Sequence, residues 1–303
     1  TTMNTALSST FFSASPDWGW LIVWYFFFGG LAGGCYFIAV LIDLFGRPED
    51  RSLARLGYYI ALPCLVISAI LLTLDLGRPL RFWHMLIASN TYQILFKPWS
   101  PMSVGSWALF IFGIFSLLAF LSARAEDGQL LWPAAKSLRP PGALGSIIAA
   151  IGGLFGFFVA GYTGVLLAVT NRPIWSDTPL LGMLFVVSAA SISAALMILL
   201  AHKSGRTTPG LNALHRLDSW VVALEFVVLI ALMISLGPVF RAWLNAWGLL
   251  LLFGVIVLGM LLPLALYWRK QWLGDLNVTA AAASVLAGGL ILRLVIVFSA
   301  QGV

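Results

Sequence analysis

Leu74-Asp75-Leu76-Gly77-Arg78-Pro79-Leu80-Arg81-Phe82-Trp83-His84-Met85 ends an apolar run over residues 54–76. About 20 apolar residues in a row cross the hydrocarbon core of a bilayer as a helix, so this run predicts a membrane span. Its tail predicts the rim, with Gly77 and Pro79 stopping the helix. There the sequence places a carboxylate, two guanidiniums and an imidazole, groups that cost free energy at a membrane boundary unless paired or used.

The rest of the chain is of the same kind. Of 303 residues 61% are apolar and 9% charged, with mean hydropathy +0.99. Soluble domains carry about a quarter charged residues. Eight apolar runs, at roughly 18–44, 54–76, 103–122, 145–170, 179–201, 218–236, 247–268 and 278–299, predict an all-α integral membrane protein. Continuous apolarity without period-2 alternation excludes barrel strands. The net charge of +6 sits in short loops, leaving no span-free domain for a nucleic-acid face.

The loops set the orientation. One side carries eleven basic residues: Arg47, Arg51, Arg55, Arg124, Lys136, Arg139, Lys203, Arg206, Arg216, Arg269 and Lys270. The other holds five, Arg78, Arg81, Lys97, Arg172 and Arg241, with Arg293 inside the last span. The positive-inside rule then puts both termini on the outer, periplasmic side of a multi-pass protein in the cell inner (cytoplasmic) membrane. Residues 1–17 carry one charge, Asp17, and no basic n-region, so the first run is expected to be retained as a span.

Leu76-Gly77-Arg78-Pro79-Leu80-Arg81-Phe82-Trp83 is echoed by Leu236-Gly237-Pro238-Val239-Phe240-Arg241-Ala242-Trp243. Each ends the second span of a set of four. The expected organisation is an outer N-terminal segment 1–17, a four-helix bundle over 18–170 and a second over 171–303. The pairs Gly29/Gly33, Gly30/Gly34 and Gly152/Gly156 predict close helix contacts.

Several groups reach the outer layer by depth: Trp18, Trp20 and Tyr25 in span one, Asp75 inside the end of span two with Arg78 and His84 after it, Ser103 and Ser106 in span three, and Tyr162 and Thr163 in span four. Aromatic walls, a phenol and a carboxylate at membrane depth suit a planar lipid-soluble ligand such as a quinone headgroup. An aromatic belt with snorkelling arginines explains Arg81, Trp83 and Lys97 equally well. Asp75 is expected to pair with Arg78, and the segment after Pro79 to form an interfacial helix. Asp43, Glu225 and Arg293 lie deeper and read either as a proton path or as glue between helices.

The absent ligands narrow the chemistry. His84, His202 and His215 all lie near span ends, which does not fit the axial ligands of a haem. Cys35 and Cys64 alone build neither an iron–sulfur nor a zinc site, so no haem, cluster or metal is expected on this chain.

Asp75-Leu76-Gly77-Arg78-Pro79-Leu80-Arg81-Phe82 resembles the signature of the polysulfide reductase membrane-subunit family (NrfD/PsrC-like). So do Trp18-Gly19-Trp20 with Tyr25 to Gly34, Ser100 to Trp107, Tyr162 to Leu167, Asn171 to Trp175, Leu214 to Asp218 with Glu225, and Gly288 to Arg293. The resemblance implies a quinone-reactive (menaquinone or ubiquinone) membrane subunit. Its implied partners are a peripheral iron–sulfur subunit and, beyond it, a catalytic molybdenum or cytochrome subunit. It also implies a quinone site in the first bundle around Trp18, Trp20, Asp75, Arg78 and Tyr162, with Asp75 and Tyr162 handling protons. Some members carry a histidine or asparagine near the start of span one, where this sequence has Asp17, Trp18 and Trp20.

The expected function is electron exchange between the quinone pool and the iron–sulfur partner, with proton translocation as a further expectation. The alternatives are a secondary transporter, which eight spans and a repeat also fit, and a structural anchor without its own quinone site.

Overall fold

The computed structural model describes residues 16–130, 132–205, 208–269, 272, 274 and 276–301. Most of the expected N-terminal segment 1–17, and Arg206 and Lys270 of the charge count, lie outside the described residues.

Among the described residues eight helices are long and apolar enough to cross a membrane. They are α1 (Trp20–Phe45), α2 (Arg51–Asp75), α3 (Pro101–Glu126), α4 (Ala143–Ala168), α5 (Leu181–Lys203), α6 (Pro209–Ser235), α7 (Ala246–Trp268) and α8 (Leu276–Ser299). The chain is therefore an all-helical, multi-pass membrane protein. We call the end carrying Trp20 and Ser299 the upper end. The two described ends of the chain meet there: Gln301 Nε2 donates to the Trp18 carbonyl at 2.9 Å, and Trp20 packs edge-on against Phe298.

Three helices form the centre. α1, α5 and α8 are the most buried and touch one another, while α2, α3, α4, α6 and α7 lie around them. α1 also packs on α2 and α4, α3 on both α2 and α4, and α7 joins α8 and α6. Between membrane helices backbone approach replaces the hydrophobic drive, so small residues decide the contacts. A Cβ on Gly33 would lie 2.3 Å from the Gly156 carbonyl of α4. One on Gly34 would lie 2.3 Å from Ser193 Oγ of α5. On the far side, a Cβ on Gly288 would lie 2.3 Å from Gly259 Cα, within the stretch Leu251–Leu261 where α7 widens into a π-helix.

The helix ends have local causes. Pro101 and Pro209 start α3 and α6, where the missing N–H removes no bond. Gly77 (φ +65°) closes α2 and Gly237 (φ +52°) closes α6, a left-handed turn that a side chain resists. Each is followed by a 3₁₀ segment, Pro79–Met85 and Gly237–Trp243, so the sequence echo takes the same backbone form twice.

Two expectations change. α6 begins at Pro209 rather than near 218; His215, Arg216 and Asp218 make its first turns polar without breaking the helix, and the Asp50 carboxylate accepts from Gly210 N–H at 2.6 Å. The segment after Pro79 is not a continuous interfacial helix. Beyond Met85 the backbone pairs with itself, Ile87 against Ile94, with Leu95 N–H donating to the Leu86 carbonyl at 2.8 Å.

Candidate functional site: a lateral cleft between α2 and α3

Between α2 and α3 lies a cleft of about 590 Å³, lined from the middle of both helices to their upper ends. This is within the size range of small-molecule sites. Its walls are Leu62, Leu65, Val66, Ala69, Leu72, Thr73 and Leu76 of α2 and Met102, Gly105, Ser106, Leu109, Phe110 and Gly113 of α3. Phe82, Met85 and Leu86 roof it, and Tyr25 of α1 and Tyr162 of α4 reach in from behind. An apolar slot with hydroxyls at its inner wall matches a planar ring carrying a long apolar tail.

The hydroxyls are held in defined states. Tyr162 donates to the Pro101 carbonyl at 2.6 Å. It can cross α3 only because residue 105 is glycine: a Cβ there would lie 2.2 Å from the Tyr162 oxygen. Ser106 donates to the Met102 carbonyl at 2.8 Å and Thr73 to the Ala69 carbonyl at 2.8 Å, the usual back-bonding of a helical hydroxyl four residues on. Tyr25 also lines the cleft, and its backbone carbonyl accepts from Ser68 at 3.4 Å.

Other expected residues lie elsewhere. Trp18 stacks on Trp175 at 5.3 Å and Trp20 meets Phe298 at 5.1 Å, both beside α8 and outside the cleft wall. Ser103 accepts from Lys97 N–H at 3.0 Å, tying the loop to α3 rather than facing the slot. His84 lies edge-on to Trp83 at 4.0 Å in the roof segment. Asp75 is half-buried, between Thr73 and the wall residue Leu76. The expected Asp75–Arg78 ion pair is not formed among the described residues: Gly77 turns the backbone after α2 and Arg78 is exposed. Ser106, named from the sequence by depth, does line the wall, and the polar wall residue that sequence reasoning passed over is Thr73. Its spacing from the apolar positions of α2 is the one signal that would have found it.

A second cleft of about 480 Å³ sits between α6 and α7, at the place the sequence echo repeats. It contains no hydroxyl. Its one polar side chain, Asn245, caps α7 by accepting from Trp247 N–H at 2.9 Å and donates to the Ala242 carbonyl at 3.1 Å.

Deeper polar groups form two clusters. Near the lower end Arg139 grips Asp43 through two bonds of 2.7 and 2.9 Å and Glu126 through one of 2.8 Å. Tyr58 also donates to Asp43 at 3.0 Å, and Arg55 joins Glu126 to Asp127. Burial disfavours the Arg139 charge, yet the two carboxylates outweigh it and hold the pKa above its ordinary value. In the middle, Arg293 donates to the Gly289 carbonyl at 2.7 Å and to Ser188 at 3.0 Å and lies over Phe185 and Phe27. Glu225 of α6 faces Ser188, Ser191 and Arg293, without closing an ion pair to Arg293 within 4.0 Å. Among the described residues no group of three or more His, Cys, Asp or Glu could hold a metal ion.

Residues 8–303 match the family described as "Polysulphide reductase, NrfD". The sequence is 32% identical over 314 residues to the C component of polysulfide reductase from Wolinella succinogenes, covering 94% of both proteins. It is 26% identical to protein NrfD of Escherichia coli, over 97% of its own length and 98% of that protein. It is 29% identical over 196 residues to the C component of tetrathionate reductase from Salmonella typhimurium, 64% of its own length and 52% of that protein. With its eight apolar helices and a match over nearly its whole length, the chain belongs to the NrfD polysulphide reductase family.

Proposed function

We propose that this chain is the quinone-reactive membrane subunit of a respiratory oxidoreductase. It exchanges electrons between the menaquinone or ubiquinone pool and a peripheral iron–sulfur subunit, which passes them to or from a catalytic molybdenum or cytochrome subunit. The observation that carries this reading is the α2–α3 cleft, apolar over most of its wall and supplied with two phenols at its back. In this reading both termini face the periplasm, and the two halves, 18–170 and 171–303, act as two four-helix bundles of which the first holds the site.

A bound quinone supplies the two-electron, two-proton chemistry; the protein supplies the rest. The α2 and α3 walls strip water from the ring and direct a tail into the lipid. Tyr25 offers its hydroxyl proton to a ring oxygen. Tyr162, its own proton fixed on the Pro101 carbonyl, presents lone pairs. Asp75, at the upper end of α2 beside the mouth, is the carboxylate through which protons pass to or from solvent. The surface above the cleft suits the iron–sulfur partner: Leu80, Tyr92, Ile94 and Trp99 are 75–89% exposed there, beside exposed Arg78 and Arg81.

Gly113 gives a direct test. A Cβ there meets nothing closer than 3.9 Å, so Gly113→Leu fills the cleft without disturbing the backbone. Titrating the purified protein, with whatever co-purifies, with a short-chain quinol should quench tryptophan fluorescence saturably. Gly113→Leu should weaken that binding at least about tenfold. Unchanged affinity in this variant would remove the cleft from the function.

Proton translocation is a second reading, motivated by the buried Glu225–Ser188–Arg293 cluster and by Asp218, which accepts from Tyr267 on the lower side of Glu225. Proteoliposomes carrying the whole complex should acidify or alkalinise the lower-side compartment during turnover, and Glu225→Gln should stop this. Turnover with no such pH change would rule the reading out.

A further inference from the structure

We propose that the α2–α3 cleft selects the reduced, hydroquinone form of its ligand, because its polar wall accepts hydrogen bonds and scarcely donates them. This inference rests on the quinone reading above and adds which redox form the site recognises.

The hydroxyls of Tyr162, Ser106 and Thr73 each spend their single proton on a carbonyl of the wall, at 2.6, 2.8 and 2.8 Å. A hydroxyl has one proton and two lone pairs, so these three oxygens present only lone pairs to the slot. Among the described residues no arginine, lysine, histidine, asparagine, glutamine or tryptophan lines it, and the indole of nearby Trp107 is already given to the Leu95 carbonyl at 2.9 Å. Among the described wall residues Tyr25 is the one side-chain hydroxyl whose proton is not so used.

An oxidised quinone carries two carbonyl oxygens that can only accept. In this slot one meets Tyr25 and the other faces lone pairs. A hydroquinone carries two O–H groups: one donates to Tyr162, while the other accepts from Tyr25 and gives its own proton to the lone pairs of Ser106 or Thr73. The oxidised form leaves a hydrogen bond unmade, which corresponds to about a tenfold weaker affinity. For a two-electron couple, a tenfold preference raises the midpoint potential of the bound pair by about 30 mV.

Gly105 is the positioning residue for this selectivity. With a Cβ there the Tyr162 ring is driven from Pro101, and its proton becomes available to the slot.

The test compares decyl-ubiquinol with decyl-ubiquinone, each titrated anaerobically into the detergent-solubilised protein as purified. Tighter binding of the reduced form by about tenfold is expected, with the ratio falling toward one in Tyr162→Phe and in Gly105→Ala. Should either variant fold poorly, Ser106→Ala and Thr73→Val remove wall acceptors with little change of shape and should each lower the ratio. Equal affinity, tighter binding of the oxidised form, or a ratio that none of the variants moves would overturn the selectivity while leaving a quinone site in place. Saturable binding of neither form would overturn the quinone reading as well.

Discussion

A single missing Cβ decides how the upper end of α3 meets α4. Gly105 lets the Tyr162 ring lie across the first turn of α3, and the phenol proton settles on Pro101. The opposite case is Arg139, whose side chain is 1% exposed and whose value depends on staying paired. Asp43, its two-bond partner, has a fully buried side chain. Removing Asp43 takes two of the three carboxylate bonds from a buried guanidinium and leaves it only Glu126, and such breaking of a buried pair costs about 3–5 kcal/mol. Asp43→Ala should therefore lower stability by that order in equilibrium unfolding, and Asp43→Leu with Arg139→Met should recover most of it. Loss of under about 1 kcal/mol in the single variant would mean that the lower cluster is not a clasp. Raising the Arg139 pKa adds stability only below its unfolded value, so this contribution stays constant across the working pH range and is lost only in strong alkali.

The elements were legible in the sequence to different degrees. Apolar runs of span length marked all eight helices, since a membrane helix is read by composition along its length. Their ends were legible where a residue has one conformational role: Gly77 and Gly237 stop α2 and α6 in the same way. The start of α6 was hidden because hydropathy scores polarity rather than backbone, and Asp218 there finds the Tyr267 hydroxyl as its partner. Rotation about each helix axis was not legible. Helices apolar on every side give no moment to show which face points inward, so Trp18, Trp20, Tyr25 and Tyr162 all qualified by depth alone. Packing separates them, with Tyr25 and Tyr162 at one cleft and both tryptophans against Trp175 and α8. Glycine pairs did announce the contacts. Gly33→Leu, placed 2.3 Å from the Gly156 carbonyl, should push α1 from α4 and lower the thermal midpoint of the detergent-solubilised protein by several degrees, whereas Gly113→Leu should leave it unchanged. Equal midpoints in the two variants would contradict this packing.

At the scale of the whole molecule, the buried trio α1, α5 and α8 joins helices from both ends of the sequence. Both clefts lie beside the second helix of a set of four, and among the described lining residues only the α2–α3 cleft carries hydroxyls. In the function proposed above, the repeat is one architecture used twice, with the chemistry kept in the first copy. The central claim is that the ring binds between α2 and α3. A photoreactive azidoquinone, cross-linked to the protein in native membranes and mapped by peptide mass spectrometry, tests this most directly. The account predicts adducts on residues 62–86 and 102–117 that excess quinol suppresses. Adducts confined to the α6–α7 cleft, or to the surroundings of Trp18 and Trp175, would contradict it.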